Sequence, residues 1–375
     1  MPPVEFYSSV EYASFQPALM RELEKAGWAS EQQFGISQAD YWAARSRVAR
    51  WRMRARMYGL YPLKVAARFA VTKAAVGVVC TNTFFAPWVA ERMSGRGVPV
   101  VHWVFDLFPD VLVLAGRVRT GSFAERALRR CVRSTMDSAA ANVFLGERLR
   151  AFAETRFGPI PRSVVVPVGC DARAFRQTPP EARASRATVR VLYCGNLGQM
   201  HDVTTVVEAM QGGFPAGIDF EFRGNGSGFQ HLEEAIGQIR PQTEVRIAGH
   251  LPEDEWATAM QAADIALVTM KPGAEGLVMP SKTYSALAAG QAVLAICPKK
   301  SDLADTVLAH DCGWVVEPGD SEGLREVLRQ AIGEPEEVFR KRCRAWQAGH
   351  EVYDQRVLAR QWIRVLESAI QERSR

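Results

Sequence analysis

VRVLYCGNLGQMHDVTTVVEAM, residues 189–210, reads as a short β-branched strand (189–194), a turn with glycines at 195 and 198, and a helix from 203 to 210. The pattern repeats downstream. Apolar runs IDFEF (218–222), VRIA (245–248), DIALVTM (264–270), AVLAIC (292–297) and WVVEP (314–318) alternate with helical stretches at 229–239, 253–262, 281–289 and 303–310. Strand followed by helix, again and again, is the signature of βαβ units in a parallel sheet, so this half is expected to be a doubly wound domain. Upstream the theme recurs less regularly, with strand candidates VEFYS, VGVVCTN, VPVVHWVF, AANVFL and SVVVPVG and helical stretches at 123–136 and 146–157. The expected fold class is therefore α/β, with two Rossmann-like doubly wound domains facing an interdomain cleft. Residues 177–187, with TPPEARASRA mixing prolines, small residues and charges, read as a linker between domains at 1–176 and 188–350. Beyond Glu334 the chain is helical, and Trp346, Tyr353, Leu358, Trp362, Val365, Leu366 and Ile370 are too many apolar positions for a free tail. A helix over 351–375 is expected to pack back toward the N-terminal domain.

Composition agrees with two ordinary domains. At 375 residues the chain suits about two units of 100–200 residues. With 47% hydrophobic and 23% charged residues it fits neither a disordered nor a fibrous class. The seven cysteines include no C-x-x-C pair, which argues against a disulfide framework and structural zinc and for a reducing compartment. The start, MPPVEFYSSVEYASFQ, lacks the basic-then-apolar order of a signal peptide, and no apolar stretch is long enough for a membrane span. A cytoplasmic location is expected, with peripheral attachment to the inner face of the plasma membrane as its extension.

In open α/β sheets ligands bind beyond the carboxyl ends of strands, so the strand-to-helix junctions are where chemistry is sought. Gly195 and Gly198 stand where backbone amides can approach a diphosphate, although that segment taken alone reads better as a plain turn with Asp202 as N-cap. FRGNGSG (222–228) has the spaced glycines of a dinucleotide fingerprint but sits after the wrong strand and lacks the acidic partner. The stretch EGLVMPSKTYSALAAG (275–290) is the most informative. There Pro280, Ser281 and Lys282 open a helix, and a lysine at that end is disfavoured unless an anion compensates. The alternative is a solvated lysine near a helix start. The acid pairs Asp219-Phe-Glu221 and Glu253-Asp-Glu255 read as structural, and no metal site is expected.

Taken together, LYCGNLGQMHDVTTVVEAM, FRGNGSG, EGLVMPSKTYSALAAGQAVLAI and CGWVVEPGD occur in an order that resembles retaining GT-B glycosyltransferases of family four, in their bacterial cell-surface polysaccharide and lipid-linked glycan branch. HWVFDLFPDV, ERALRRCVRS, FLGERLRAFAETRFG and VVVPVGCDARAF are similar to that branch's acceptor-domain segments. The resemblance implies metal-independent hexosyl or N-acetylhexosaminyl transfer from a nucleotide-diphosphate sugar of UDP or GDP type, with no further cofactor. It places Glu275 on donor-sugar hydroxyls, with Gly276 and Leu277 giving backbone amides to sugar or phosphate. Gly195, Asn196, Gly198, Arg223, Gly224, Ser281 and Lys282 would meet the diphosphate, and Gly249, His250 and Leu251 would border the nucleobase. The family's second glutamate, a ribose acceptor, falls on Thr283. His102 and Asp106 fall where polar groups lie near the anomeric carbon, with His102 equally readable as a satisfied core histidine. The implied acceptor is a polyprenyl-diphosphate-linked glycan. Other readings are a GT-B-fold UDP-sugar epimerase and a non-catalytic sugar-nucleotide-binding scaffold, the latter favoured by Thr283.

The net charge of +5 is unevenly placed: residues 41–90 hold nine Lys/Arg and no Asp or Glu. On one helix over 41–61, Trp42, Val48, Trp51 and Tyr58 would share a side, with arginines including Arg47, Arg50 and Arg54 around it. Two readings stand, an interfacial helix on an anionic membrane and a core-facing aromatic stripe with a solvated basic face. No nucleic-acid motif accompanies the arginines, so nucleic acid is not expected as a partner.

Overall fold

The computed structural model describes residues 2–12, 14–44, 46–95, 97–182, 188–239 and 245–373. Residues 183–187 of the expected linker and the side chain of Trp42 lie outside the described residues. The chain forms two compact units, one of Met1–Pro167, Gly276–Val278 and Gln355–Arg375, the other of Val168–Glu275 and Met279–Asp354.

The first unit runs β1 (Pro3–Val10), α1 (Phe15–Lys25), β2 (Ala29–Ile36), α2 (Gln38–Ala43), α3 (Arg47–Ala55), a π-helical turn at Arg56–Leu60, α4 (Tyr61–Phe69), β3 (Val76–Cys80), α5 (Ala86–Ser94), β4 (Val100–Val104), α6 (Asp110–Leu114), α7 (Phe123–Ser138), β5 (Ala141–Phe144), α8 (Glu147–Phe157) and β6 (Ser163–Val165). Its six strands are parallel in the order β2-β1-β3-β4-β5-β6. The central strands VGVVC and VVHWV are buried throughout, as unbroken apolar runs must be when helices cover both faces. From β1 the chain steps to one edge and then returns across to β6. Right-handed crossovers therefore put α1 on one face and α4, α5, α7 and α8 on the other.

The second unit runs β7 (Val189–Asn196), α9 (Thr204–Gln211), β8 (Ile218–Asn225), α10 (Ser227–Ile239), β9 (Val245–Ala248), α11 (Glu253–Ala262), β10 (Ile265–Thr269), α12 (Lys282–Ala288), β11 (Ala292–Ile296), α13 (Asp302–Ala309), β12 (Gly313–Val316), α14 (Ser321–Gly333) and α15 (Pro335–Glu351). It too is a six-stranded parallel sheet, ordered β12-β11-β10-β7-β8-β9. Tyr193, Phe220, Phe222, Leu294 and Ile296 are central to its core, with the rings of Phe220 and Phe222 stacked at 5.0 Å. The two-domain Rossmann-like expectation is met.

The boundaries differ in detail from the sequence reading. Residues 168–176 join the second unit rather than the first, because Cys170 bridges to Asp354, Phe175 packs its ring 5.1 Å from Trp256, and the Arg176 N–H donates to Gln261 at 2.7 Å. The last helix, α16 (Gln355–Arg373), lies in the first unit beside α1, with Trp362 4.6 Å from Trp103 and 6.2 Å from Phe6. The single basic helix expected over 41–61 is broken. Ser46 caps α3 by accepting the Ala49 N–H at 3.1 Å, so Trp42 belongs to α2 and shares no helix side with Trp51. Trp51 is 70% exposed and α3 buries nothing, which removes the core-facing reading of that stripe.

Candidate functional site

In the second unit β7 and β10 are neighbours whose outgoing connections run to opposite sides of the sheet, which makes the crevice between their carboxyl ends the topological switch point. The loop after β7 begins at Gly195, with φ +133°, in register with Gly224 of β8 at φ +140°. A Cβ on Gly224 would overlap the carbonyl of Gly195. The Leu197 N–H donates to the Asn225 carbonyl at 2.7 Å, and the Gly228 N–H donates to the Leu197 carbonyl at 2.8 Å. The spaced glycines of 224–228 thus serve the crossing of two loops, not a dinucleotide. Gly195 is different: the nearest side-chain atom to its missing Cβ is Lys282 Cε, at 3.7 Å.

Lys282 is the first residue of α12, yet the short helix does less to place it than two groups of β7. Its Nζ donates to the Asn196 carbonyl at 3.1 Å and to the Tyr193 hydroxyl, and lies 4.1 Å from the Tyr193 ring centroid. Burial lowers its pKa to about 7. His201 stands close by, its Nδ1–H donating to the Thr269 carbonyl at 2.7 Å, and burial together with the Lys282 charge pushes its pKa down to about 3. The Lys271 N–H donates to the Met200 carbonyl at 3.0 Å, tying the loop after β10 to the loop after β7. Sequence reasoning missed Tyr193 and His201; the position of Tyr193 two residues before Gly195 was its only signal.

The other expected donor residues divide. Glu275 is half-buried, and its Oε2 is buried with no hydrogen-bond partner, an acceptor awaiting a donor. Gly276 and Leu277 fall in the first unit, where the Leu277 carbonyl accepts the Leu107 N–H at 3.0 Å and Gly276, at φ +74°, leaves no room for a Cβ against Phe152. Asn196 is exposed at the loop, and Gly198 is half-buried beside its side chain. Arg223 is not an open cation, since its Nε is bound to Glu221 at 2.5 Å. Ser281 is exposed and makes no side-chain cap. Thr283 corrects the expectation of a ribose contact: it is fully buried, and its Oγ1 faces inward without a partner. Gly249 and His250 are exposed and Leu251 half-buried in the loop between β9 and α11. The acid pair at 219 and 221 is structural, held by Arg246 and Arg223.

In the first unit the switch point lies between β1 and β3. Asn82 accepts the Ser9 N–H there at 3.1 Å and keeps a buried, unpartnered Nδ2. Thr81 Oγ1 accepts the N–H groups of Phe105 (3.0 Å) and Asp106 (3.2 Å), fixing the turn after β4. That turn holds Asp106 half-buried with its pKa raised to about 6 by burial. His102 is placed otherwise. It is 2% exposed inside β4, its Nδ1 is 2.9 Å from Asn142 Oδ1, and burial lowers its pKa to about 4, so it is a satisfied core histidine. Neither Thr81 nor Asn82 was singled out from the sequence.

With two parallel sheets, each carrying polar groups at its switch point, the fold can be set beside known proteins. Residues 179–347 match the family model described as Glycosyl transferases group 1. They fall almost wholly within the second unit. Over 255 residues the chain is 28% identical to the probable glycosyltransferase WbjE of Pseudomonas aeruginosa, a match covering 64% of this chain and 61% of WbjE. Among solved structures, HepE of Anabaena in complex with UDP superposes with a TM-score of 0.71 at 13% identity, covering 98% of this chain and all of that one. Sucrose-phosphate synthase from Thermosynechococcus elongatus gives 0.76 at 16% identity over 99% of this chain and all of its own. WaaG, a glycosyltransferase involved in lipopolysaccharide biosynthesis, gives 0.69 at 16% identity over 97% and 99%. These likenesses establish the GT-B-type fold.

Proposed function

We propose that this protein is a retaining glycosyltransferase that moves a hexosyl or N-acetylhexosaminyl group from a nucleoside-diphosphate sugar to a lipid-linked glycan acceptor in cell-surface polysaccharide synthesis. The observation that carries the reading is a desolvated lysine held against Gly195 at the switch point, and Glu275, in the loop after β10, keeps a buried carboxylate oxygen that lacks a donor. Lys282 meets the charge that grows on the departing diphosphate, and Glu275 accepts from donor-sugar hydroxyls. The acceptor hydroxyl attacks the anomeric carbon from the face the diphosphate leaves. The C–O bond to phosphate breaks as the new glycosidic bond forms, and the leaving phosphate takes the acceptor's proton. No strong protein base is needed, and with Lys282 as the countercharge no metal is invoked. HepE bound to UDP and the role of WaaG support the donor class and the pathway class.

The acceptor side rests on the basic segment. Val48 (61%), Trp51 (70%) and Leu63 (67%) are exposed among Arg47, Arg50 and Arg54, an arrangement suited to an anionic lipid surface; Tyr58 is 42% exposed. Among the described residues no helix is long and apolar enough to cross a membrane. Co-sedimentation with anionic liposomes at low salt tests this, and loss of it would remove the membrane from the reading. Turnover tests the reaction: purified protein given UDP- and GDP-sugars should transfer or slowly hydrolyse one class, with Glu275→Ala and Lys282→Ala each at least about a hundredfold slower. Binding of the donor without either would favour the scaffold reading, which the buried Thr283 supports.

A further inference from the structure

Helix α7 carries Arg126, Arg129, Arg130 and Arg133 at i, i+3, i+4 and i+7, all on one face, with Ser134, Asp137 and Ser138 continuing the same stripe. This face lines a groove of about 770 Å³, bounded across from it by Arg156 and Phe157 of α8. From 126 to 138 the stripe runs about 18 Å at 1.5 Å per residue. The packed face of α7 is elsewhere, at Glu125, Val132, Thr135 and Met136, so the arginines line the open groove.

The guanidiniums are held in place. Arg129 bonds Glu125 at 2.7 Å and Asp110 at 3.4 Å and lies 5.3 Å from the Phe157 ring centroid. Arg156 pairs with Asp110 at 2.6 Å. Arg133 grips Asp137 with two nitrogens, at 2.9 and 2.8 Å, and donates to the carbonyls of Phe157 and of Pro159, the latter at 3.2 Å. Arg126 donates to the Gly121 carbonyl at 2.6 Å, and Arg130 is exposed and makes no ion pair among the described residues. Five guanidiniums thus meet three carboxylates, Asp110, Glu125 and Asp137, a surplus of two positive charges in a preformed groove.

One fork saturates a carboxylate; several forks arriving from two helices suit a phosphoryl group, with three acceptor oxygens and nearly two charges. We propose that the α7–α8 groove of the first unit is a binding site for phosphoryl groups, carried either by a soluble diphosphate or by an anionic phospholipid headgroup. The site is built wholly from first-unit residues and stands whether or not the sugar-transfer reading does.

The test uses full-length protein carrying Lys282→Ala, so that the second unit's cation contributes nothing. Inorganic pyrophosphate is titrated by calorimetry, and phosphatidylglycerol vesicles are compared with phosphatidylcholine vesicles by flotation. Binding of pyrophosphate, or of phosphatidylglycerol but not phosphatidylcholine, is expected, and which probe binds identifies the source. Added Arg126→Glu and Arg130→Glu should weaken that binding at least about tenfold. Lys25→Glu, on α1 at the opposite face of the sheet and 62% exposed, should leave it unchanged. If the double reversal fails to fold, Arg130→Gln alone should still weaken binding, since Arg130 supports no internal pair. Binding of neither probe, undiminished binding by the α7 variants, or equal loss with Lys25→Glu would overturn the proposal.

Discussion

Lys282 offers a direct test of the donor side, because its charge state depends on what lies beside it. In the free protein, burial holds its pKa at about 7. Lys282 Nζ lies 3.9 Å from where a Cβ on Gly195 would stand, so a diphosphate against that glycine would meet the amine, and an opposite charge within about 4–6 Å raises a pKa by about 1–3 units. Binding must then take up a proton wherever the free lysine is neutral. For a free pKa of about 7 the neutral fraction is roughly 0.1 at pH 6, 0.5 at pH 7 and 0.9 at pH 8, and the uptake per UDP bound approaches that fraction where the bound-state pKa lies well above the pH: at pH 8 it is about 0.4 for a rise of one unit and about 0.9 for three. Linkage gives the sign: affinity falls by up to about tenfold per pH unit above 7, until the bound-state pKa is reached. The terminal phosphate of UDP titrates near 6, so its own ionisation is complete in this window. His201, pushed to about 3, stays neutral throughout. Calorimetry at pH 8 in two buffers of different ionisation enthalpy reads the proton count from the difference in heats. Uptake of about 0.4 to 0.9 in the native chain and near zero in Lys282→Met is the expected pair of results. No uptake in the native chain, or the same uptake in both, would refute the assignment of Lys282 to the diphosphate.

Three further outcomes follow from the same geometry. Glu275→Gln keeps the side chain's shape and should cost at least about a hundredfold in kcat/KM with an unchanged melting temperature, measured on whichever nucleotide sugar the native chain turns over. Asp106 is held at about 6, above its unfolded value, so its burial favours the folded state below the unfolded pKa and this contribution is lost as pH rises through 6; Asp106→Asn should therefore melt higher than the native chain at pH 8, with the gain gone near pH 4. Gly224→Ala should destabilise by at least about 2 kcal/mol in urea unfolding, because the added methyl meets the Gly195 carbonyl at a positive φ, and a variant of native stability would show that the two loops can separate.

The sheets were legible because buried parallel strands are nearly pure apolar runs: VGVVC, VVHWV and AVLAI announce themselves whatever surrounds them. β2 was not, since ASEQQFGI at the sheet edge is mostly polar and only its last residue is buried. The glycine loop and Lys282 stand out as candidates from their place at strand-to-helix junctions, and Glu275 only from the family resemblance. Tyr193, Asn82 and Thr81 could not, because each gains its role from a partner 23 or more residues away: Lys282 on Tyr193, Ser9 on Asn82, and Phe105 and Asp106 on Thr81. His102 shows the converse. Its sequence position was right for chemistry, but Asn142, forty residues on and on the next strand, satisfies it inside the sheet.

How the second unit distributes its charges sets which cation is open to the proposed donor. Arg190, Arg223 and Arg246 share Asp219 and Glu221 on β8, so each of these guanidiniums already has a carboxylate partner. Among the described residues Lys282 pairs with no carboxylate. Its partners are a phenol, a ring face and a carbonyl, which orient the amine and leave its charge uncompensated while burial makes that charge costly. A group so placed is poised rather than stabilised, and on the proposed function an incoming diphosphate would supply what the fold withholds. This is why a lysine and not an arginine suits the position: a guanidinium, always charged, would need a permanent counterion, whereas an ammonium with a pKa near 7 can shed its proton in the empty site and regain it on binding. Lys282→Arg, though it conserves charge, should therefore bind UDP without proton uptake and with the pH dependence above 7 removed.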